Sequence, residues 1–180
     1  MIAVSDPAIP SLSILDFTDE RAAAFHDINA AWIEAMFVLE EHDRHVLSHP
    51  REAIVDKGGV ILFVASPEHG IVGAGALMPV EPGVVELTKM GVRAELRGLK
   101  AGEFLLAALI ERARAMTPDT LFLLTSSKCQ AAIHLYEKAG FVHDGEIMQR
   151  YGSTYARCDV AMRFPLAAMG ADAAAHHGAS

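Results

Sequence analysis

The chain contains only two cysteines in 180 residues, Cys129 and Cys158, and they do not form a CxxC pair. This scarcity argues against a disulfide framework and against a zinc site, so we expect two reduced thiols and no metal. Basic residues are also outnumbered, because 15 Lys and Arg stand against 23 Asp and Glu for a net charge of −8. We therefore expect no nucleic-acid or membrane partner held by bulk electrostatics, although a local basic pocket is compatible with this charge.

Long apolar runs are missing as well. No stretch reaches the ~18 apolar residues that span a bilayer, and the N-terminus lacks the basic region and apolar core of a secretory signal. We therefore expect a soluble, cytoplasmic protein. With 52% hydrophobic residues the chain suffices for one domain with a substantial core. We predict that domain over residues 14–166, a mobile N-terminus over 1–13 and a disordered tail rich in Ala, Gly and His over 167–180.

The apolar pattern differs between the two halves of the chain. A helical stripe of Phe25, Ile28, Trp32 and Met36 opens the first half, and an antiparallel meander of strands follows it. In the second half, strands alternate with helices. The segments predicted as strands are 60–65, 71–80, 84–92, 121–124, 141–148 and 156–164.

A glycine-bearing loop joins the strand 84–92 to an amphipathic helix expected after Gly102. Leu106, Ile110 and Ala113 recur at the i, i+4, i+7 spacing of one helical face. A strand, a loop and a helix in this order leave main-chain N–H groups at the positive end of the helix dipole, where a phosphate is stabilised. The loop is therefore predicted to bind a phosphate-bearing ligand through its backbone.

The loop sequence RGLKAG, residues 97–102, resembles motif A of the GNAT superfamily of acetyl-CoA-dependent N-acyltransferases. Arg97 and Gly102 match the ends of the motif. Lys100 replaces its central glycine and can still offer its N–H and its ammonium, provided that its φ is negative. A second segment, AIHLYEKAGF over 132–141, resembles the superfamily helix that ends in Tyr-Glu-Lys-any-Gly-Phe. The resemblance implies an α+β acyl-CoA N-acyltransferase fold, with a central, mostly antiparallel twisted sheet flanked by helices.

The same resemblance implies acetyl-CoA as the cosubstrate. Its diphosphate is expected on the loop backbone and its pantetheine arm beside the strand near Gly91, where the glycine favours a β-bulge. Cys129 stands where many members of the superfamily have an Asn that contacts CoA, so either Ser126 or Ser127 replaces that contact or it is missing. The residues expected to bind the coenzyme are Met90, Gly91, Val92, Arg97, Gly98, Leu99, Lys100, Ala101, Gly102, Glu103, Ser126, Cys129 and Tyr136.

Two residues are candidates for catalysis. The resemblance implies that Tyr136 lies near the thioester sulfur and protonates the departing thiolate, whereas the alternative is a tyrosine packed on a helix face. Glu86 precedes the loop in its strand and alternates with Thr88 and Met90 on one face. We expect Glu86 to be the base that accepts the ammonium proton, but it can equally pair with a neighbouring cation such as Lys89.

Other conspicuous side chains have simpler interpretations. The stretch from Glu40 to His49 carries three histidines without a metal-ligand spacing, so we expect a solvated loop, with acceptor recognition preferred over a metal. His134 and His143 are expected to be solvated. Trp32, Phe37 and Tyr155 are predicted to be core residues, whereas Arg150 and Tyr151 in a late turn are candidates to border the acceptor site.

These observations predict an N-acetyltransferase that transfers the acetyl group of acetyl-CoA to a primary amine by direct attack in a ternary complex. The acceptor, a small amine or a peptide, stays open, and a homodimer is compatible with the resemblance. The alternative is a noncatalytic acyl-CoA-binding sensor or interaction module, which keeps the phosphate loop and needs no acid or base. A P-loop nucleotide-binding protein is disfavoured, because no Gly-Lys-Ser or Gly-Lys-Thr follows the loop.

Overall fold

The computed structural model describes residues 11–166, with the backbone alone at 97–99. The predicted tail over 167–180 lies outside the described residues, as does the predicted mobile N-terminus except for residues 11–13. The strands are β1 (Ser13–Asp16), β2 (Val60–Ser66), β3 (Gly70–Glu81), β4 (Val84–Val92), β5 (Thr120–Thr125), β6 (Val142–His143) and β7 (Val160–Phe164). They form one sheet in the order β1-β2-β3-β4-β5-β7-β6, in which β4 and β5 are parallel and the other neighbours antiparallel.

Helices cover both faces of this sheet. They are α1 (Ala22–Met36), α2 (Glu41–Ser48), α3 (Pro50–Ala53), α4 (Ala101–Met116), α5 (Gln130–Ala139) and α6 (Gly145–Tyr151), with 3₁₀ turns at Asp19–Arg21, Val55–Lys57, Ala94–Leu99 and Gly152–Thr154. The mostly antiparallel mixed α/β fold expected from the sequence is confirmed. Within residues 11–166, no helix has the length and apolar character needed to cross a membrane.

Two large apolar cores, one on each face, hold the layers together, and a smaller cluster packs α6 against β5 and β7. The first core contains Phe25 and Ile33 of α1 and Phe63 of β2. The second contains Leu105 and Leu109 of α4, packed on the opposite face of the sheet. Successive residues of β2 point to opposite faces, so a strand buried on both sides is a continuous apolar run in the sequence.

The predicted strand 84–92 coincides with β4, and β2, β3 and β5 extend one residue beyond their predicted ends. The strand predicted over 141–148 is wrong beyond His143, because Asp144 begins α6 by accepting hydrogen bonds from the main-chain N–H groups of Glu146 and Ile147. The strand predicted over 156–164 is shorter and begins at Val160. The solvated loop expected over 40–49 is instead α2, which Glu40 and Asp43 start with a reciprocal capping box.

Candidate active site

A cavity of about 490 Å³ opens where β4 and β5 separate. The two strands pair only through the first three residues of β4, Val84 to Glu86. Beyond that point the cavity walls are formed by residues 87–92 of β4 and 123–125 of β5, together with the C-terminal end of α1, the first turn of α4 and one face of α5. The parallel edge of β4 is therefore open to a ligand along more than half of its length.

A β-bulge in β4 decides which side chains face the cavity. Thr88 and Gly91 oppose Ala76 and Ala74, so Lys89 and Met90 together occupy the space of one residue, and Lys89 has a φ of 52°. After the bulge the alternation is reversed. The expectation that Met90 shares a face with Glu86 and Thr88 is therefore wrong, because Met90 packs against the core beneath α4.

Gly91 follows the bulge and lines the cavity. A Cβ atom at this position would lie 2.3 Å from Cδ1 of Trp32, so any larger residue would displace the indole. Trp32 is fixed in turn by a hydrogen bond of 2.9 Å from its Nε1 to Oδ1 of Asn29. We expect Gly91 to mark a close approach between the backbone and a ligand. In the structure, the packing of Trp32 against β4 already requires glycine at this position.

The loop predicted to bind phosphate enters α4 through an uncapped N-terminus. Lys100 has a φ of 57° and its side chain makes no capping hydrogen bond. The negative φ that we set as the condition for Lys100 to replace the motif glycine is therefore not met. The left-handed conformation costs a residue other than glycine about 1–2 kcal/mol, which is a physical reason for glycine at this position in motif A. The main-chain N–H groups of Ala101, Gly102 and Glu103 lie in the first turn, where a helix offers them no internal acceptor.

Gly102 also lines the cavity, together with Lys100 and Glu103. A Cβ atom on Gly102 would make only ordinary contacts of 3.6 Å with Leu135 and 3.7 Å with Val92. Packing within the protein therefore does not require glycine here, and the free space lies next to the first turn of α4. The structure describes only the backbone of Arg97, Gly98 and Leu99.

Tyr136 of α5 lines the cavity and is 9% exposed. Burial, together with the nearby Cys129, raises the pKa of Tyr136 to about 12, so its hydroxyl stays protonated at neutral pH. Cys129 and Ser126 line the same wall. Ser127 does not, because its main-chain N–H and its hydroxyl both donate to the carboxylate of Asp159 at 2.7 Å.

Glu86 lies behind the cavity wall with 2% exposure, whereas Thr88, two residues further along the strand, lines the cavity. Burial raises the pKa of Glu86 from 4.5 to about 7, although the charge of Lys89 and a hydrogen bond from Thr88 act in the opposite direction. Lys89 does not form the ion pair with Glu86 that the sequence offered as the alternative to catalysis. Its ammonium instead donates to Asp43 at 2.6 Å and to the hydroxyl of Tyr155 at 3.2 Å.

Asp43 is the centre of an ion cluster that sequence reasoning missed. Its carboxylate is wholly buried and accepts hydrogen bonds from Lys89 and from Nη1 and Nη2 of Arg157, the latter at 2.6 and 2.9 Å. Burial alone would raise the pKa of Asp43, but the Arg157 and Lys89 contacts hold it well below its usual range. The ring of Tyr155 packs against both cations, 4.5 Å from Nζ of Lys89 and 4.6 Å from Cζ of Arg157.

The remaining candidates divide into two groups. Trp32, Phe37 and Tyr155, predicted to be core residues, all line the cavity. Arg150 and Tyr151 do not border it, because both contact Glu81 at the other end of the sheet. The histidines at 42, 45, 49, 134 and 143 are exposed, and residues 11–166 contain no group of three or more His, Cys, Asp or Glu residues that could hold a metal ion.

Comparison with solved structures places this fold among acetyltransferases. A GNAT-family acetyltransferase from Staphylococcus aureus Mu50 superposes with a TM-score of 0.76 at 18% identity over 86% of this chain and 98% of that one. A ribosomal-protein-alanine N-acetyltransferase from Brucella melitensis has a TM-score of 0.64 at 26% identity, over 84% and 98%. A Bacillus subtilis acetyltransferase in complex with CoA has a TM-score of 0.60 at 17% identity, over 86% and 97%.

Sequence comparison gives the same family. The chain is 35% identical over 83 residues to an uncharacterised N-acetyltransferase of Schizosaccharomyces pombe, a match that covers 45% of this chain and about half, 51%, of the relative. The family model described as "Acetyltransferase (GNAT) family" matches residues 23–141, which include the bulged strand, the phosphate loop and the Tyr136 helix. The chain therefore belongs to the GNAT family of acetyltransferases.

Proposed function

We propose that this protein transfers the acetyl group of acetyl-CoA to a primary amine by direct attack in a ternary complex. One observation carries the proposal: a single cavity is lined by the first turn of α4, by Tyr136 and by Thr88, and Glu86 lies directly behind Thr88. A phosphate site, a proton donor and a route to a base are therefore within reach of one bound ligand pair.

The cavity fits the chemistry of the cosubstrate. At one end, the open first turn of α4 and the cationic side chain of Lys100 suit a diphosphate. Along its length, residues 87–92 of β4 have no strand partner on the side facing β5. Main-chain polar groups on a buried edge need hydrogen-bond partners, which the two amides of a pantetheine arm can provide.

Glu86 is the proposed base. A carboxyl group with a pKa of about 7 is partly ionised at neutral pH, and a base is most effective when its pKa lies near the working pH. Because Glu86 does not itself line the cavity, the amine proton reaches it through Thr88. The Thr88 hydroxyl accepts a proton from the ammonium and gives its own to the carboxylate, so the nitrogen is left neutral and Glu86 protonated.

Tyr136 is the proposed acid. Its high pKa keeps the O–H intact, so it can donate to the sulfur as the C–S bond breaks and negative charge develops there. A noncatalytic module would need neither this donor nor a buried carboxyl group held near a pKa of 7, and burying such a group is costly. The structural relative from Brucella melitensis, which is 26% identical, is named a ribosomal-protein-alanine N-acetyltransferase. This name supports an amine as the acceptor.

The test measures release of free CoA thiol from acetyl-CoA by the purified protein across a panel of amines, with coenzyme binding followed separately by calorimetry. We expect amine-dependent thiol release that falls at least 100-fold in Glu86→Gln, the loss typical of removing a general base. Tyr151→Phe, a change at the far end of the sheet, is the matched control and should retain the parent rate. Coenzyme binding without thiol release for any amine would refute catalysis and favour the sensor.

A further inference from the structure

The acceptor end of the cavity, which we define as Thr88, Lys89, Tyr155, Arg157 and Cys158, has an unusual charge balance. Both of its ionic side chains are cations. Among the described residues, Glu103 is the one carboxylate that lines the cavity. It lies in the first turn of α4, where Lys138 pairs with it at 3.1 Å. The carboxylates of Asp43 and Glu86 are buried next to this end but do not line the cavity.

The side chain of Arg157 is nine-tenths buried at this wall, and the hydrogen bonds it makes among the described residues use only some of its N–H groups. Nη1 donates to Asp43 and to Glu40, at 2.6 and 3.0 Å, and Nη2 gives one hydrogen to Asp43 at 2.9 Å. A guanidinium carries five N–H donors, so the Nε–H and the second Nη2 hydrogen remain. None of the hydrogen bonds among residues 11–166 uses either of them.

These two hydrogens lie on the same edge of the guanidinium and form a second fork. Such a fork matches the two oxygens of a carboxylate, which is the bidentate arrangement that arginine makes with anions. Asp43 occupies the other fork and thereby fixes the plane of the side chain. Arg157 therefore lines the cavity with its plane fixed by Asp43 and with one edge of its guanidinium unpaired among the described residues.

We propose that the acceptor is an amine that also carries a carboxylate, as a free amino acid does, and that Arg157 binds this carboxylate through its Nε–Nη2 fork. The inference rests on the proposed function and specifies its substrate class. Trp32, Met36 and Phe37 line the same cavity and provide an apolar wall for the rest of the acceptor.

The experiment compares each free amino acid with its own amide, which keeps the amine and removes the charge. Affinity for the protein saturated with CoA is measured by calorimetry, so that no turnover is needed. We expect at least one acid to bind about 10- to 100-fold more tightly than its amide, the value of hydrogen bonds to a charged group. If no acid binds, or if every amide or an amidated peptide binds as tightly as the matching acid, the inference is overturned.

A protein variant provides the second test. Arg157→Lys keeps the positive charge and removes the fork, so the preference for acid over amide should fall at least 10-fold, whereas the control Arg150→Lys should keep it. Each variant is first shown to be folded by its unfolding transition, and the comparison of ligands on the parent protein stands whether or not Arg157→Lys folds. An acid that binds in preference to its amide but yields no CoA thiol from acetyl-CoA would support the carboxylate site and refute the proposed catalysis.

Discussion

Glu86→Gln should make the protein more stable at alkaline pH while it lowers activity. In the folded protein Glu86 has a pKa of about 7, whereas its ordinary value is 4.5. The folded state therefore holds a proton that the unfolded state has released, and stability falls as pH rises from about 4.5 through 7. Between pH 5 and pH 8 this loss amounts to about 2–3 kcal/mol for a shift of this size.

Glutamine does not titrate, so the variant lacks this loss. At pH 5 the native Glu86 is protonated and resembles glutamine, and the two proteins should have similar free energies of unfolding. At pH 8 the variant should be more stable by about 2–3 kcal/mol, measured by urea denaturation at both pH values. Glu34→Gln, at an exposed position of α1, is the control and should change stability by less than about 0.5 kcal/mol at either pH.

The activity of the parent protein should follow the same ionisation. Since the base must be ionised, kcat/KM is expected to rise with pH around a midpoint near 7 and to level off above it. In Glu86→Gln this limb should disappear together with most of the rate. Equal pH dependence of stability in both proteins would show that Glu86 is not a buried carboxyl group of raised pKa, and the base assignment would lose its physical ground.

Three further substitutions test other parts of the site. Tyr136→Phe should lower kcat by about 10²–10⁴-fold with the Kd of CoA unchanged, as kinetics and calorimetry would report; an unaltered kcat removes the acid from the mechanism. Gly91→Ala should cost about 1–3 kcal/mol by displacing Trp32, while Gly145→Ala, with open space around it, should cost almost nothing in urea denaturation. Asp43→Ala should cost about 3–5 kcal/mol, because Lys89 and Arg157 lose their buried counter-ion; a loss under 1 kcal/mol would contradict the cluster.

Much of the fold was accessible from local pattern. β2, a strand buried on both faces, is a continuous apolar run bounded by turn residues, and the predicted ends of β2 and β4 are correct to within one residue. The helix after the phosphate loop follows from spacing alone. The failure over 141–148 was also local, because Asp144 followed by Glu146 is a helix-start signal that outweighed the apolar residues around it.

The amino-acid sequence by itself determined the strands β2 to β5 and the helices α1, α4 and α5, but not α2 or α6. Each of the elements that it determined depends on residues within one or two helical turns or strand lengths. Tertiary structure decided the rest. The bulge that sends Met90 to the α4 face exists only in the pairing of β4 with β3. Asp43 and Arg157 stand 114 residues apart, and no local pattern carries the energy of a buried ion pair, which depends on what surrounds both charges once the chain has folded.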